Sequence, residues 1–351
     1  MNAEEFQWNA CLEQIVAWYA GSRRVLPWRE DRSPYQVWVS EIMLQQTRIE
    51  AAREYYARFL EALPDVRSLA EVEEDRLLKL WEGLGYYSRA RNLKKAAVQI
   101  VERYGGALPR KAEELRALPG IGDYTAGAIA SIAYGEPEPA VDGNVMRVVM
   151  RLLASSEDVM APANRRHVTA LLKAAYPAGE DAALLTEGIM ELGETVCIPN
   201  GEAACLLCPL SGICRAFKAG TVQDYPVRSK PKERRLEQRT VLLLHCGERF
   251  ALRRRPESGL LAGLWEFPNR EGRFDAAAVE TLLGVRLLSC ERCGSARHVF
   301  SHVEWQMEGW LAECEEELPG YTWLDRETIR REYSIPTAFR TYQKKMMELI
   351  L

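Results

Sequence analysis

The sequence predicts an all-α domain over residues 1–220 and an α+β domain over residues 240–351, joined by a linker at 221–239. Three observations carry this. The chain has 351 residues, about twice the ~150 residues of an ordinary domain. Apolar residues recur at helical spacing up to position 220, whereas short apolar runs with turn residues between them follow position 240. The stretch between, TVQDYPVRSKPKERRLEQR, holds six basic residues, two prolines and little that could enter a core. Hydrophobic residues make up 47% and charged residues 27%, which excludes a disordered or collagen-like chain. No run reaches the roughly 18 apolar residues of a membrane span. The start, MNAEEFQWNA, has two acids and no base and does not read as a secretory signal, so a cytoplasmic protein is expected.

The helices follow in order. AEEFQWNACLEQIVAWYA has apolar residues at helical spacing. Ser33-Pro34 opens the next helix, with serine as N-cap and proline at the first helical position. Residues 68–82 begin with Ser68 and Glu71 at capping-box spacing. Ser88 starts a helix that ends at Gly105-Gly106. Further helices are predicted over 124–134, 143–154, 162–176 and 181–195, and no strand before 221. After the linker, RTVLLLHC, RFALRRR, VRLLSCERC and HVEWQMEGWLAEC predict strands, with a hairpin turn at Cys246-Gly247-Glu248. Helices are expected at 275–283 and 335–350.

The net charge is −4, and neither half carries a marked excess of base. Bulk charge therefore supplies no attraction to nucleic acid, and any such contact must come from local cations and backbone amides. Four of the nine cysteines fall within eighteen residues. Cys197, Cys205, Cys208 and Cys214 have the spacing C-x7-C-x2-C-x5-C, which suits one tetrahedral zinc or one 4Fe-4S cluster. A single C-x2-C knuckle, where zinc sites usually bring two, favours the iron–sulfur cluster in a structural role. Cys290 and Cys293 form a lone C-x2-C, too weak a signal for a second metal.

Leu118-Pro119-Gly120-Ile121-Gly122 joins two helices. Its glycines allow a tight turn with exposed amides, and amides at the start of the next helix hold a phosphate without a basic side chain. The helix YTAGAIASIAYG is rich in small residues, so a neighbour can approach closely. Twenty residues after Gly122, Asp142 stands where it would cap the helix at 143–154. Glu41 lies mid-helix among Val37, Trp38 and Leu44, where burial of a carboxyl raises its pKa toward that of a general acid at neutral pH.

LPGIG, an aspartate twenty residues on and then the four-cysteine loop resemble, in continuous order over residues 1–220, the helix-hairpin-helix DNA glycosylases of the endonuclease III type. Bifunctional members carry a lysine after the Gly-Asp of the hairpin. Here the position is Tyr124, which forms no Schiff base. With SEIMLQQT around Glu41, the chain is similar to the monofunctional branch, the MutY adenine DNA glycosylases. The resemblance implies an all-α helix-hairpin-helix glycosylase domain with an iron–sulfur loop, followed by an α+β Nudix-like domain. It implies Glu41 as catalytic acid, Asp142 as the aspartate facing the sugar, and Tyr124 and Asn144 as the residues orienting them. It places Arg29, Trp28 and Glu187 at the adenine pocket. It assigns DNA or opposite-base contacts to Gln46, Thr47, Leu84, Tyr86, Gly120 and Gly122, and it implies a 4Fe-4S cluster on the four cysteines. Arg89, Arg91, Lys94 and Lys95 read equally as phosphate contacts or as a solvated helix face. The family's usual first cysteine gap is six residues; the extra residue here falls in a loop with an Asn-Gly turn, which absorbs it.

Residues 240–351 resemble the family's Nudix-like domain, most clearly at Leu260–Pro268 and at Phe300-Ser301-His302, the loop that in the family reads 8-oxoguanine. DAAAVETLLGV lacks the glutamate-rich magnesium helix, so no pyrophosphatase activity is expected. The implied partner is double-stranded DNA with adenine opposite 8-oxoguanine or guanine, with no membrane, and a monomer is expected. Alternatives are a glycosylase/lyase for oxidised pyrimidines and a lesion-binding protein without catalysis.

Overall fold

The computed structural model describes residues 6–229 and 233–349. The beginning of the first expected helix, three residues of the expected linker (230–232) and position 350 lie outside them. By internal packing the chain forms two compact units, residues 1–72 with 92–230, and residues 73–91 with 231–351. The sequence reading kept residues 73–91 in the first domain, and they group with the second unit for identifiable reasons. The Glu82 carboxylate accepts the Ile335 N–H at 2.9 Å, Lys79 donates to the Tyr333 carbonyl at 3.0 Å, and Arg91 donates to the Ala262 carbonyl at 2.5 Å.

The helices are α1 (Trp8–Ser22), α2 (Pro27–Glu30), α3 (Pro34–Leu44), α4 (Ile49–Ala62), α5 (Val66–Glu71), α6 (Glu74–Leu80), α7 (Ser88–Tyr104), α8 (Ala112–Arg116), α9 (Asp123–Ala128, running on into a π turn at Ile129–Ala133), α10 (Gly143–Leu153), α11 (Pro162–Lys173), α12 (Glu180–Thr195) and α13 (Arg215–Lys218). No strand occurs among the described residues up to 229. Pro34 starts α3 as expected, but the Ser33 side chain makes no cap bond. The capping box lies earlier than predicted, because Asp65 accepts from the Ser68 N–H while the Ser68 hydroxyl reaches back to Asp65. Helices α2, α4, α8 and α13 were not assigned from sequence.

Helices α1, α10 and α12 share one apolar core that includes Ile15, Val145, Val149, Leu185 and Leu192. Each such side chain contributes about 1.5–3 kcal/mol on burial. Two glycines allow backbones to meet. A Cβ on Gly127 of α9 would fall 2.4 Å from the Pro139 carbonyl oxygen, and one on Gly193 of α12 would fall 2.6 Å from Asn144 Cβ. The small-residue helix thus brings the segment before Asp142 against α9.

The second unit holds β1 (Arg235–Cys246), β2 (Arg249–Arg254), β3 (Trp265–Glu266), β4 (Asn269–Glu271), α14 (Ala276–Leu283), β5 (Ser289–Val299), β6 (Val303–Glu313), β7 (Thr322–Asp325), α15 (Arg326–Glu332) and α16 (Arg340–Glu348). The sheet order is β3-β2-β1-β6-β5, with β4 also on β1 and β7 on β2. The central pair β1/β6 is parallel, from Arg235 opposite Val303 to His245 opposite Glu313, and the other pairs are antiparallel. Val241 and Leu243 enter one core, Leu242 and Leu244 the other. A central strand covered on both faces explains the unbroken run VLLL. Strand β1 begins inside the segment read as linker, because Arg235–Arg239 pair with Val303–Met307.

Candidate active site

Helix α3 is buried almost all round, and Glu41 with it, at 7% exposure. A carboxyl in such surroundings favours its neutral form. Burial pushes the Glu41 pKa up to about 7; the Tyr124 hydroxyl opposes this, while the charges of Asp142 and Glu187 add to it. The Tyr124 Oη donates to Glu41 Oε2 at 2.5 Å. Tyr124, in the first turn of α9, is itself held protonated, with its pKa raised well above the usual tyrosine value by burial and by Glu41.

Asp142 caps α10, accepting the Val145 N–H at 2.7 Å on one oxygen and the Asn144 amide at 2.8 Å on the other. The cap predicted from sequence is thus present, and it orients the carboxylate. Burial raises the Asp142 pKa, and the bonds from Val145 and Asn144 hold part of that rise back. Asn144 is anchored in turn by Arg147, whose Nη2 donates to its oxygen at 2.8 Å and whose Nε donates to the Cys197 carbonyl at 2.7 Å.

One cavity collects Glu41, Tyr124, Asp142, Asn144, Trp28, Arg29, Glu187, Gln46 and Thr47. Nine of the residues singled out from sequence therefore face a common space. Helix α12 brings Glu187, Met190 and Glu194 to this cavity, and it carries a ladder of carboxylates, Glu187, Glu191 and Glu194, of which sequence reasoning names only Glu187. Glu187 pairs with Arg32 at 2.6 Å and accepts from the Tyr19 hydroxyl at 3.2 Å. Glu191 pairs with Arg29 at 2.7 Å and with Arg24. Burial pushes Glu191 up, but the bonds from Arg24 and Arg29 outweigh it and hold the carboxyl below its usual value. Arg32, Tyr19, Glu191 and Arg147 carried no motif; their roles arise from contacts across many residues of chain.

Gly120 and Gly122 lie apart from that cavity's lining, on an adjoining groove with Asp123, Arg116, Arg165 and Lys173. Gly120 needs its glycine twice over: φ is +77°, and a Cβ would fall 2.6 Å from Asn92 Cβ. The remaining predicted contacts belong to the second unit. Leu84, Tyr86, Phe300, Ser301 and His302 line one pocket there. Phe300-Ser301-His302 is the β5–β6 turn, closed by the Phe300 N–H on the Val303 carbonyl at 2.8 Å. Ser301 and His302 are exposed, and Phe300 packs on Trp305. Tyr86 is half exposed and its hydroxyl lies 3.3 Å from the Ser301 Oγ, whereas Leu84 is buried. Arg89 and Arg91 do not form a free basic face: Arg89 is buried against the Leu84 and Gly85 carbonyls, and Arg91 binds Glu74. Gln46 and Tyr86 both hold left-handed backbone, at φ +58° and +47°. For non-glycine residues that is a strained setting, of the kind that clusters at functional sites.

Cys197, Cys205, Cys208 and Cys214 line a single apolar cavity with Val148, Leu152 and Leu192. Arg151 donates to the Cys197 Sγ at 3.3 Å. Burial, with the neighbouring cysteines as smaller causes, pushes the Cys208 thiol up to about 12. Such thiols ionise only against a cation, and four of them facing one space fit a metal–sulfur group. As they stand, no three His, Cys, Asp or Glu side chains among the described residues converge at metal-binding distance, and that includes Cys290 and Cys293.

Residues 39–175 match the HhH-GPD superfamily of base excision DNA repair proteins, and residues 239–345 match the NUDIX domain. The adenine DNA glycosylase of Rattus norvegicus is 32% identical over 407 residues, covering 96% of this chain and 78% of that protein. The adenine DNA glycosylase of Buchnera aphidicola from Acyrthosiphon pisum is 31% identical over 82% of each. Among solved structures, a thermostable thymine-DNA glycosylase superposes with a TM-score of 0.55 at 26% identity, over 60% of this chain and 97% of its own. A trapped covalent intermediate of endonuclease III with DNA gives 0.52 at 25% identity, over 63% and 99%. The first unit's fold is thus that of helix-hairpin-helix glycosylases, and the sheet-containing unit is Nudix-like. A likeness that runs at this level through both halves is one of common descent: the chain belongs to the adenine DNA glycosylase family.

Proposed function

We propose that this base excision repair glycosylase removes adenine paired with 8-oxoguanine, and with guanine, from duplex DNA, and that it leaves the strand uncut. The observation that carries the reading is the meeting of Glu41 and Asp142 in one cavity, each with a raised pKa and each held by neutral donors. Adenine is a poor leaving group as an anion. A base extruded from the stack and held in this cavity would receive a proton at N7 from Glu41, which is still half protonated near neutrality. The sugar then develops positive charge, and the Asp142 carboxylate, fixed by Val145 and Asn144, stabilises it without reorganising. Water completes the hydrolysis. Tyr124 in place of an amine supports the absence of strand cleavage. Trp28, Arg29 and Glu187 would line the adenine site. Tyr86 with Phe300, Ser301 and His302 would contact the opposite base, Ser301 and His302 through their hydrogen-bonding groups. Gln46, Thr47, Leu84 and the Gly120/Gly122 hairpin would contact DNA. Cys197, Cys205, Cys208 and Cys214 would hold a 4Fe-4S cluster, whose chemistry when bound is to tie the loop 197–214 by four metal–sulfur bonds. The working domains would be 1–220 and 240–351, in a cytoplasmic monomer.

The test is single-turnover release of adenine from duplexes with adenine opposite 8-oxoguanine, for the wild type and Asp142→Asn, with strand breaks read before and after alkali. Release that shows as a nick only after alkali and vanishes in the variant is the expected result. Breaks without alkali would reinstate the lyase reading, and tight binding with no release would mean a lesion-binding protein.

A further inference from the structure

The catalytic cavity and the hairpin groove are separate spaces, but they share a wall. Three residues line both: Gln45, Tyr124 and Arg165. A nucleotide that leaves the groove for the cavity must pass this threshold. Arg165, on α11, is the cation there. It is exposed, and its Nη1 donates to the carbonyl oxygen of Val141 at 2.8 Å, the peptide immediately before Asp142. Of the groove's other cations, Arg116 pairs with Glu113 and lies near Asp123, Lys173 pairs with Glu138, and Arg166 lines the groove but not the cavity. No carboxylate pairs with Arg165 among the described residues.

Resting on the glycosylase reading above, we propose that Arg165 is a positioning residue that captures the phosphate beside the extruded nucleotide and couples that capture to Asp142. The guanidinium fork is the reason. One nitrogen is committed to the Val141 carbonyl, and the remaining N–H donors are free for an anion. Phosphate seated on them fixes the guanidinium, and the fixed guanidinium holds the peptide on which Asp142 begins. Asp142 is then clamped from both sides, by Val145 and Asn144 after it and by Arg165 before it. The chain's net charge of −4 makes such a local unpaired cation more telling than it would be in a basic protein, because there is no general field to draw the backbone in.

The experiment uses the full chain, wild type, Arg165→Gln and Arg165→Lys, on duplex DNA with adenine opposite 8-oxoguanine. Two quantities are read: the slope of log affinity against log salt, and the rate of adenine release with enzyme saturating. Loss of one phosphate contact lowers the slope by about 0.9. Arg165→Gln is expected to show that loss and a rate at least about tenfold lower at saturation. Arg165→Lys is expected to keep the slope, because an ammonium still meets the phosphate, but to recover the rate only in part, because it lacks the second arm for Val141. An unchanged slope in Arg165→Gln would overturn phosphate capture. A lowered slope with wild-type rate at saturation would overturn the coupling to Asp142. Thermal melts of all three proteins, expected to agree within a few degrees, separate both outcomes from misfolding. The slope needs no catalysis, so a wild type that binds but releases nothing would refute the proposed activity and still leave phosphate capture tested.

Discussion

The protein buries carboxylates in two ways, and Glu41 and Asp142 differ in this from the sheet unit; Glu187 and Glu191 of the first unit, with their guanidinium partners, follow the sheet's way. In the cavity of the first unit, Glu41 and Asp142 receive bonds from neutral groups: a tyrosine hydroxyl, an asparagine amide and a backbone N–H. In the sheet unit, Glu266 is fully buried and meets two guanidinium groups, Arg253 at 2.8 Å and Arg255 at 2.6 Å. Glu237 beside it, 8% exposed, is bound by Arg239 and by the Trp305 indole N–H at 2.9 Å, with Arg239 stacked on the Trp305 ring. Glu41 is buried about as deeply as Glu237, Asp142 less so, and the chemistry is opposite. Around Glu41, neutral donors leave the burial penalty on the charge uncompensated, so this carboxyl keeps its proton up to about pH 7 and can give it away; burial raises the Asp142 pKa too, and its bonds from Val145 and Asn144 hold part of that rise back. Guanidinium partners compensate the charge and make the carboxylate a fixture of the fold. A carboxyl among neutral donors can exchange its proton; one between guanidinium groups can only hold.

The largest effect should come from the cavity and fall on rate alone. Asp142→Asn keeps a cap for α10 but removes the charge opposite the developing cation. Single-turnover release is expected to fall by about a thousandfold or more, with no loss of thermal stability. Next comes Glu41→Gln, whose stability effect is the reverse of the usual core substitution. The folded pKa of about 7 stands above the ordinary 4.5. The stability from the neutral acid is therefore whole below about pH 4.5 and is lost as the pH rises through 7. Converted at about 1.4 kcal/mol per pH unit, the ionised form costs about 3 kcal/mol. Glu41→Gln should be more stable than the wild type by up to that amount at pH 8 and equal to it near pH 4, as measured by denaturant melts at the two pH values. A variant no more stable at pH 8 would break the comparison at its root. Glu266→Gln should do the opposite. It leaves Arg253 and Arg255 facing a neutral amide, and because both keep some contact with water the cost is about 2 kcal/mol rather than the full penalty of a broken buried pair. Its loss should show in a denaturant melt at pH 7, and adenine release per folded molecule should be unchanged.

What was legible in the sequence follows the same division. Glu41 and Asp142 stand out through the family resemblance of SEIMLQQT and of the LPGIG-to-Asp142 spacing, whereas their local settings alone favour a solvated helix face and a helix cap. The cysteine spacing, the hairpin and the Phe-Ser-His turn are local. On the cation side the resemblance gives Arg29, but not Arg32 and not the pairings. Arg32 reaches Glu187 across 155 positions and Arg29 reaches Glu191 across 162, and nothing near any of the four announces the pairing. Residues 73–91 were read with the helices before them because they are helical, although Glu82, Lys79 and Arg91 bind within the other unit. The strand from Arg235 looked like linker because its first residues are charged. It is strand only by virtue of a partner nearly seventy residues later, with Arg235 opposite Val303. Helix α4 shows its pattern plainly once Ala52, Tyr56 and Phe59 are seen on one buried face, and it was passed over for want of a cap or a motif.

The smallest effect falls on the Tyr124–Glu41 bond. Tyr124→Phe removes one neutral donor from Glu41 and changes no charge. The hydroxyl opposes the rise in the Glu41 pKa, so without it the acid should hold its proton to higher pH. If Glu41 is the proton donor, the alkaline limb of the pH–rate profile, set near 7 in the wild type, should move upward by about half a unit to one unit. At pH 6, where the acid is already protonated in both proteins, the variant should be slower by a few fold, because Glu41 has lost the bond that orients it. At pH 8.5 the gap should close, because the variant keeps more of its acid in the working form. An alkaline limb that moved downward, or did not move, would mean that the group titrating near neutrality is not Glu41. The neutral donors of the cavity would then serve the fold, as the guanidinium groups of the sheet do.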